Sequence, residues 1–149
     1  LRQLAEAASG HKAPIGFFGR LRTEDGRLDI KRYGLWPIVE GARLLALRHG
    51  VARRSTAERI EGVRALGVGG ESDLAAAVEA HERFLGLILR AQLADLAGGR
   101  PAVNRVPLTI IQAEVGVDRL KADLRLAASL HELARDQVAA AAPAAWSAA

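Results

Sequence analysis

Two long stretches of the chain, residues 72–97 and 111–140, constrain the fold most, because both carry apolar residues at the spacing of an α-helix. In the first stretch the apolar positions are Leu74, Val78, Leu85, Ile88, Leu89 and Leu96. In the second they are Val117, Leu120, Leu124, Ala127, Leu130, Leu133 and Ala134. The pattern predicts that each stretch is one long helix whose apolar stripe faces a shared core.

Two shorter helices are predicted before the long ones. Pro37 stands at a first-turn position, residues 38–46 follow with helical spacing, and Gly50 ends the helix. Ser55 with Glu58 three residues later forms a capping box that opens a second helix to about Leu66. Aromatic residues are only 4% of the chain, which disfavours a β-sandwich. We therefore predict an all-α fold, a helical bundle of four main helices.

A short hairpin-like segment is predicted before the first helix. HKAPIGFFGRLR and RLDIKRYG read as short extended segments, and Asp25-Gly26 between them suits a turn with positive φ. The apolar residues expected to pack beneath this turn are Phe17, Phe18, Leu21, Leu28 and Ile30.

The domain organisation is predicted from composition and length. Residues 1–13 read as the end of a helix or a linker from an upstream domain, residues 14–140 as the helical domain, and residues 141–149 as a frayed Ala-rich tail. The chain does not begin with Met, so we expect it to be a segment of a longer protein. It has no Cys, no signal-peptide pattern and no apolar run long enough to span a bilayer, which favours a cytoplasmic location.

A search for catalytic and metal-binding patterns finds none. The chain has no thiolate nucleophile, no Gly-x-Ser-x-Gly elbow and no phosphate-binding loop that ends in Lys-Ser or Lys-Thr. Carboxylates near the turn, such as Asp29, do not form the Asp-x-Asp pair that Mg²⁺ chemistry uses. The isolated histidines are expected to be exposed or capping residues: His11, His49, His81 and His131. We predict no catalytic centre and no metal site.

Several polar residues stand in apolar surroundings. Arg43 lies within EGARLLAL, and Arg90 and Gln92 lie within FLGLILRAQL. A buried Arg is costly unless it is paired, and Glu40 lies three residues before Arg43 on the same predicted helix. Two interpretations stay open: salt bridges inside the bundle, or a polar floor that reaches a ligand.

The charged run before the first helix allows two interpretations of its own. Asp29, Lys31 and Arg32 either cap an ordinary core helix, or face a bound anion or the active site of a partner domain. The net charge of +4 comes mainly from scattered Arg residues. They form no basic stripe, so nucleic-acid binding is not expected. It would need one continuous exposed face made of Arg53, Arg54, Arg59 and Arg64.

The run PIGFFGRLRTEDGRLDIKRYGLWPIVEGARLLALRHGV, with STAERIEGV, FLGLILRAQLADLAGGRPAVNRV and a final long helix, resembles the nucleotidyltransferase substrate-binding domain family. The resemblance covers residues 14–138. In that family the domain is the C-terminal part of bacterial signalling proteins. CBS domains, often a cyclic-nucleotide-binding domain, and a nucleotidyltransferase domain precede it. That catalytic domain is similar to glutamine-synthetase adenylyltransferase and PII uridylyltransferase.

The resemblance implies a set of substrate-binding residues. Its Asp-Leu-Lys element matches Asp29 and Lys31, and its Pro-Ile-Val…Ala-Arg helix ends at Arg43. The late Arg-x-Arg-His-Gln element keeps Arg90 and Gln92 but has Ile at 88 and Ala at 91. The following Asp-Asn keeps Asn104, with Val at 103. The family's catalytic Gly-Ser…Asp-x-Asp signature is absent, so the resemblance implies the non-catalytic half of a two-part enzyme.

Two functions follow from the resemblance. The first is a substrate- or partner-binding domain of a regulatory nucleotidyltransferase. Its partners would be the upstream nucleotidyltransferase and CBS domains and a protein or small-molecule acceptor, with Mg²⁺ and a nucleoside triphosphate implied for the full-length protein. The alternative is a non-enzymatic interaction module, including a homodimer, that transmits a signal from upstream sensors. Convergence of Lys31, Arg43 and Arg90 on an open cleft would favour the first function, and a carboxylate partner for each of them inside the bundle would favour a structural module.

Overall fold

The computed structural model describes residues 12–140 of the chain. The elements, in order, are β1 (Arg27–Asp29), a π-helical turn (Lys31–Leu35), α1 (Trp36–Arg48), α2 (Thr56–Ala65), α3 (Glu71–Ala97), β2 (Arg105–Pro107), α4 (Leu108–Glu114) and α5 (Val117–Ala140). The predicted all-α fold is confirmed, with one small two-stranded sheet added. The predictions for the N-terminal helix end, for His11 and for the Ala-rich tail lie outside the described residues.

Helix α1 is the central element, because it packs against α5 on one side and α2 on the other. Pro37 lies in its first turn, as predicted, and Ile38, Ala42 and Leu45 are fully buried. The predicted capping box of α2 is also confirmed. The Ser55 hydroxyl accepts from the Glu58 backbone N–H at 3.2 Å, and the Glu58 carboxylate accepts from the Ser55 N–H at 3.2 Å. The Ser55 hydroxyl also donates to the Glu58 carboxylate at 2.9 Å, and the two hydrogen bonds that this carboxylate accepts from Ser55 lower the pKa of Glu58.

The apolar stripe predicted for α3 is only partly right. The side of α3 that faces the core consists of Leu74, Ala77, Ala80, Phe84, Leu87, Ile88 and Ala91. Leu85, Leu89 and Leu96, which were predicted to be in the core, are 48%, 56% and 60% exposed. The cause is that apolar residues cover more than half of the helix circumference, so periodicity alone does not decide which arc is buried. Alanines on the true core face let the neighbouring helices approach closely.

The helix predicted for residues 111–140 is divided in two. Helix α4 ends at Glu114, Gly116 adopts a φ of 85°, and α5 begins at Val117. A positive φ is easy for glycine and breaks the helical backbone there. The apolar face predicted for α5 is confirmed, because Leu120, Leu124 and Ala127 are completely buried.

The turn predicted at Asp25-Gly26 is confirmed, but its flanking segments do not form one hairpin. Asp25 and Gly26 have φ values of 50° and 70°, and Glu24 and Arg27 exchange two backbone hydrogen bonds of 2.9 Å across the turn. Beyond the turn, β1 pairs with β2 in antiparallel register, with Leu28 opposite Val106. The sheet therefore joins the segment before the first helix to the segment that follows α3.

Residues 14–22 form a second small turn, closed by a bridge between Ile15 and Leu21. Phe17 and Phe18 lie at its tip and are 98% and 88% exposed, so the prediction that they pack into the core was wrong. Their rings meet each other edge to face at 5.4 Å. Leu28 and Ile30 are buried as predicted, because they follow the turn and enter the core.

Candidate functional site

Five residues line an open surface cleft of about 420 Å³: Asp29, Lys31, Arg32, Trp36 and Asn104. We call it the cationic cleft. Four of them come from the end of β1, the π-helical turn and the first residue of α1. Asn104 comes from the loop before β2, and the pairing of Asp29 with Arg105 brings it beside the others. The small sheet therefore assembles the cleft.

Asp29 has a structural role within the cleft. Its Oδ1 accepts a hydrogen bond of 2.9 Å from the backbone N–H of Arg32, which fixes the start of the π-helical turn. The charged run is therefore partly a cap. The side chains of Lys31 and Arg32 are exposed, and neither has an ion-pair partner among residues 12–140. The Arg32 guanidinium lies 5.3 Å from the centre of the Tyr33 ring.

The other two lining groups are an aromatic ring and an amide. Trp36 is 50% exposed at the start of α1 and presents part of its indole to the cleft. Asn104 accepts a hydrogen bond of 3.2 Å from the Gln92 side chain through its Oδ1. Its NH₂ group has no hydrogen-bond partner in the described part of the chain. Two cations, an aromatic face and an amide donor thus share one open site.

Arg43 and Arg90 were expected in apolar surroundings, but both are exposed. Arg43 pairs with Glu40 at 3.3 Å, as predicted, on the outer face of α1. It lies seven residues from Trp36, two turns or about 10 Å further along the same face of the helix. It therefore flanks the cationic cleft without lining it.

Arg90 and Gln92 diverge, although both were predicted to bind substrate. Two positions apart on a helix, their side chains point about 160° away from each other. Arg90 pairs with Glu114 of α4 at 2.9 Å, whereas Gln92 supports Asn104. Lys31, Arg43 and Arg90 therefore do not converge on one cleft, and of these three only Lys31 lines it.

A buried carboxylate behind the sheet was missed from the sequence. Asp95 on α3 is 2% exposed and accepts two hydrogen bonds from Arg27 of β1, at 2.7 and 2.9 Å. Arg100 lies 3.3 Å away, and Arg27 also donates to the Arg105 carbonyl of β2 at 3.2 Å. The hydrogen bonds from Arg27 lower the pKa of Asp95 to about 2. This cluster clamps both strands, and hence the cationic cleft, onto α3.

A second buried carboxylate joins α3 to α5. Asp123 is 2% exposed and receives a two-pronged contact from Arg83, with N–O distances of 2.8 and 2.9 Å. Arg119 adds a third bond at 3.1 Å. The hydrogen bonds to Asp123 raise the pKa of Arg83. A sequence signal existed for both clusters, since Asp95 and Asp123 fall in phase with the core positions of their helices.

The three histidines within residues 12–140 do not form a site. His49 lies 2.8 Å from the Gln137 side chain and links α1 to α5. His81 is half-buried, and burial lowers its pKa. His131 is 5% exposed, so the expectation of an exposed or capping residue was wrong there. Among residues 12–140, no three His, Asp or Glu side chains are close enough to hold a metal ion, and no helix is long and apolar enough to cross a membrane.

A comparison with protein-family models finds a match over residues 1–138 to the family described as putative nucleotidyltransferase substrate binding domain. The chain belongs to this family. The match includes every residue of the cationic cleft and all of the helices except the last two residues of α5. No curated protein and no solved structure shows significant similarity to the chain.

Proposed function

We propose that this domain binds a nucleotide substrate for a nucleotidyltransferase active site, through the cationic cleft. The observation that carries the proposal is a pair of cations, Lys31 and Arg32, that have no ion-pair partner within residues 12–140 and line the same cleft as the half-exposed Trp36. Phosphate groups are bound by Lys as a point charge and by Arg through its fork of donors. A nucleobase stacks on an exposed aromatic face, and this stacking depends little on which base it is. The NH₂ group of Asn104 supplies a donor for a base or ribose oxygen.

The open shape of the cleft supports a role shared with another domain. Ligand pockets commonly enclose about 300–1,000 Å³ and bury most of the ligand surface. The cationic cleft has a volume in this range, about 420 Å³, but lies open on the surface. A catalytic domain that closes over it would exclude water from the nucleotide. We therefore propose that the catalytic residues come from a nucleotidyltransferase domain and that this domain positions the substrate.

The metal would be held by that other domain. Mg²⁺ accompanies nucleoside triphosphates in phosphoryl and nucleotidyl transfer and neutralises the developing charge. No three carboxylate or histidine side chains in the described ranges are placed to hold it. In this proposal Lys31 and Arg32 contact phosphate oxygens that the metal leaves exposed, and the acceptor is a protein or a small molecule.

The wider context is part of the same proposal. The family resemblance supports a cytoplasmic signalling protein of bacterial type, in which CBS sensor domains and the nucleotidyltransferase domain precede this one. A signal would then alter how the catalytic domain closes over the cationic cleft. The nucleotidyltransferase activity of the full-length protein, measured in the presence and absence of adenine nucleotides, would test this arrangement.

Calorimetric titration of the chain with ATP, UTP and CTP, with and without Mg²⁺, tests the proposed site. We expect a micromolar Kd for at least one nucleotide and about tenfold weaker binding in Lys31→Ala and in Arg32→Ala, which is about 1.4 kcal/mol each. Trp36→Ala should weaken binding by a similar or larger factor through lost stacking. Arg125→Ala is the matched control, because Arg125 is exposed on α5 and has no ion pair within residues 12–140. Equal losses in the Arg125 and Lys31 variants would contradict the proposal.

One observation favours an interaction module as a second function. Four leucines of α3 are between 48% and 60% exposed, although this helix also forms part of the core. They are Leu85, Leu89, Leu93 and Leu96. They contribute nothing to the cationic cleft, so the two functions are compatible.

A further inference from the structure

The exposed side of α3 carries a regular seam. Its positions have the spacing 4, 3, 4, 3, which is the a/d repeat of helices that pack in pairs. The members of this α3 seam are Glu82, Gly86, Leu89, Leu93 and Leu96. All five are exposed, including the three leucines at 56%, 57% and 60%. No element among residues 12–140 covers them, so the repeat has no partner helix within the described domain.

Gly86 supplies a second observation that points to a missing partner. Glycine in the middle of a helix costs stability relative to alanine and needs a reason. The other three helical glycines of the described chain have one, because each fits closely against a side chain: Gly34 against Phe84, Gly41 against Leu130 and Gly62 against Val51. A Cβ built on Gly86 would meet nothing within 4 Å. The space above Gly86 is therefore open to a side chain from another molecule.

The seam is complementary to itself when two copies run antiparallel. A two-fold axis at the level of position 91 places residue i opposite residue 182 − i of the other copy. Leu96 then lies over the open space at Gly86, and Leu89 lies opposite Leu93. Glu82 lies at the level where α3 of the other copy has ended, near the loop that carries Arg100. A large side chain meets a gap, and a leucine meets a leucine.

The charges near the ends of the seam are accessible to the other copy. Glu82 is exposed and has no ion pair among residues 12–140. Arg100, just past the end of α3, keeps 60% of its side chain exposed beside its 3.3 Å contact with Asp95. In a parallel pair, Glu82 would instead face Glu82 and Gly86 would face Gly86. That arrangement brings like charges together and leaves a gap.

We propose that the domain forms a homodimer in which the α3 seams of two copies pack antiparallel. Glu82 lies near the loop that carries Arg100 of the other copy, and Leu96 occupies the space over Gly86. This interface shares no residue with the lining of the cationic cleft. The occupant of the seam is a second copy of this chain, because the seam complements its own reversed sequence.

Sedimentation equilibrium of the 149-residue chain tests the dimer. We expect a monomer–dimer equilibrium with a Kd of about 1–50 µM, typical of a small specific interface. Leu93→Glu should weaken association by about 30-fold or more, since it places a charge at the centre of the interface. Leu47→Glu is the control, because Leu47 is 54% exposed on α1 and lies outside the seam. It should leave the association constant unchanged.

Cysteine crosslinking tests the register, because the chain contains no native Cys. A mixture of Leu89→Cys and Leu93→Cys chains should form a disulfide-linked dimer faster than either variant alone. A parallel pair would crosslink each variant with itself and would overturn the antiparallel arrangement. A chain that remains monomeric at about 100 µM would overturn the dimer itself. In that outcome another domain or a terminal segment of the protein covers the seam.

Gly86→Leu separates association from folding. Gly86 is exposed and a Cβ built there meets no atom of its own copy within 4 Å, so the circular-dichroism spectrum of the monomer should be unchanged. The new side chain fills the space that Leu96 of the other copy needs, so association should weaken by at least about tenfold. Unchanged association in Gly86→Leu would contradict the predicted packing.

Discussion

Replacing Asp123 with alanine is expected to lower the free energy of unfolding by about 3 kcal/mol. The Asp123 side chain is 3% exposed and accepts bonds of 2.8 and 2.9 Å from Arg83 and 3.1 Å from Arg119. Removing one member of a buried ion pair costs about 3–5 kcal/mol, because an uncompensated charge stays behind. The lower end applies here, since Arg83 keeps 25% of its side chain exposed and has Glu79 at 3.3 Å as a second partner.

Urea unfolding followed by circular dichroism, at a chain concentration at which the chain is monomeric, measures this loss. The midpoint should fall with an unchanged slope, and the thermal midpoint should drop by about 10 °C for a domain of this size. Asp118→Ala is the matched control: Asp118 lies on the same helix, is fully exposed and pairs with Lys121 only at 3.5 Å. It should cost less than about 1 kcal/mol.

The reasoning fails if Asp123→Ala costs no more than Asp118→Ala. A double variant, Arg83→Met with Asp123→Leu, distinguishes the cause of the loss. Apolar replacement of a whole buried pair is often close to neutral, so the double variant should recover much of the stability that Asp123→Ala loses. A double variant that is less stable than Asp123→Ala would show that the ion pair itself, and not the cation left behind, stabilises the helix pair.

Three further outcomes follow from the structure. Because the folded-state pKa of Asp95 is lowered to about 2 from 3.8, its contribution to stability is present above about pH 4 and is lost as the pH falls from 4 towards 2; Asp95→Asn should flatten that part of the acid unfolding profile. Gly34→Ala should destabilise by about 1–3 kcal/mol, since a Cβ there would lie 2.8 Å from the ring of Phe84; a stable variant by thermal unfolding would contradict the packing of the π-helical turn. Gly86→Ala should instead raise the free energy of unfolding of the monomer by about 0.5–1 kcal/mol, because a Cβ at this position meets nothing within 4 Å. Urea unfolding of a dilute protein sample measures this change, and a loss of stability would mean that α3 is packed differently.

The parts of the fold that depend on local chemistry could be predicted from the sequence. The capping box of Ser55 and Glu58 defines the start of α2 within four residues. The core face of α5 is predictable because its other faces are polar. On α3 the same method fails, since Leu89 and Ile88 both read as core while only Ile88 is buried. Periodicity identifies a helix, but the arc that is buried depends on which neighbours pack closely.

The residues of the candidate site could likewise be predicted from the sequence only in part. Asp29 and Lys31 are neighbours in sequence, but Asn104 reaches them only through strand pairing across the chain, which no local pattern encodes. The family resemblance supplied Asn104. Trp36 was missed because an aromatic residue beside a helix-starting proline has the same appearance in sequence whether it is exposed or buried. The carboxylate of Asp95 was missed because its residue type is typical of surfaces, and its burial is favourable only because Arg27 and Arg100 pair with it.

The pairing of β1 with β2 joins two segments that are far apart in the chain. Arg27 donates to the carbonyl of Arg105, which is 78 residues later in the chain. Closing so long a loop carries a large entropic cost, and contacts of this kind form late compared with those between consecutive helices. The proposed site needs Asn104 beside Lys31, so we expect it to form after the contacts between consecutive helices. A ligand bound at that site would hold the two chain segments together and would slow their separation.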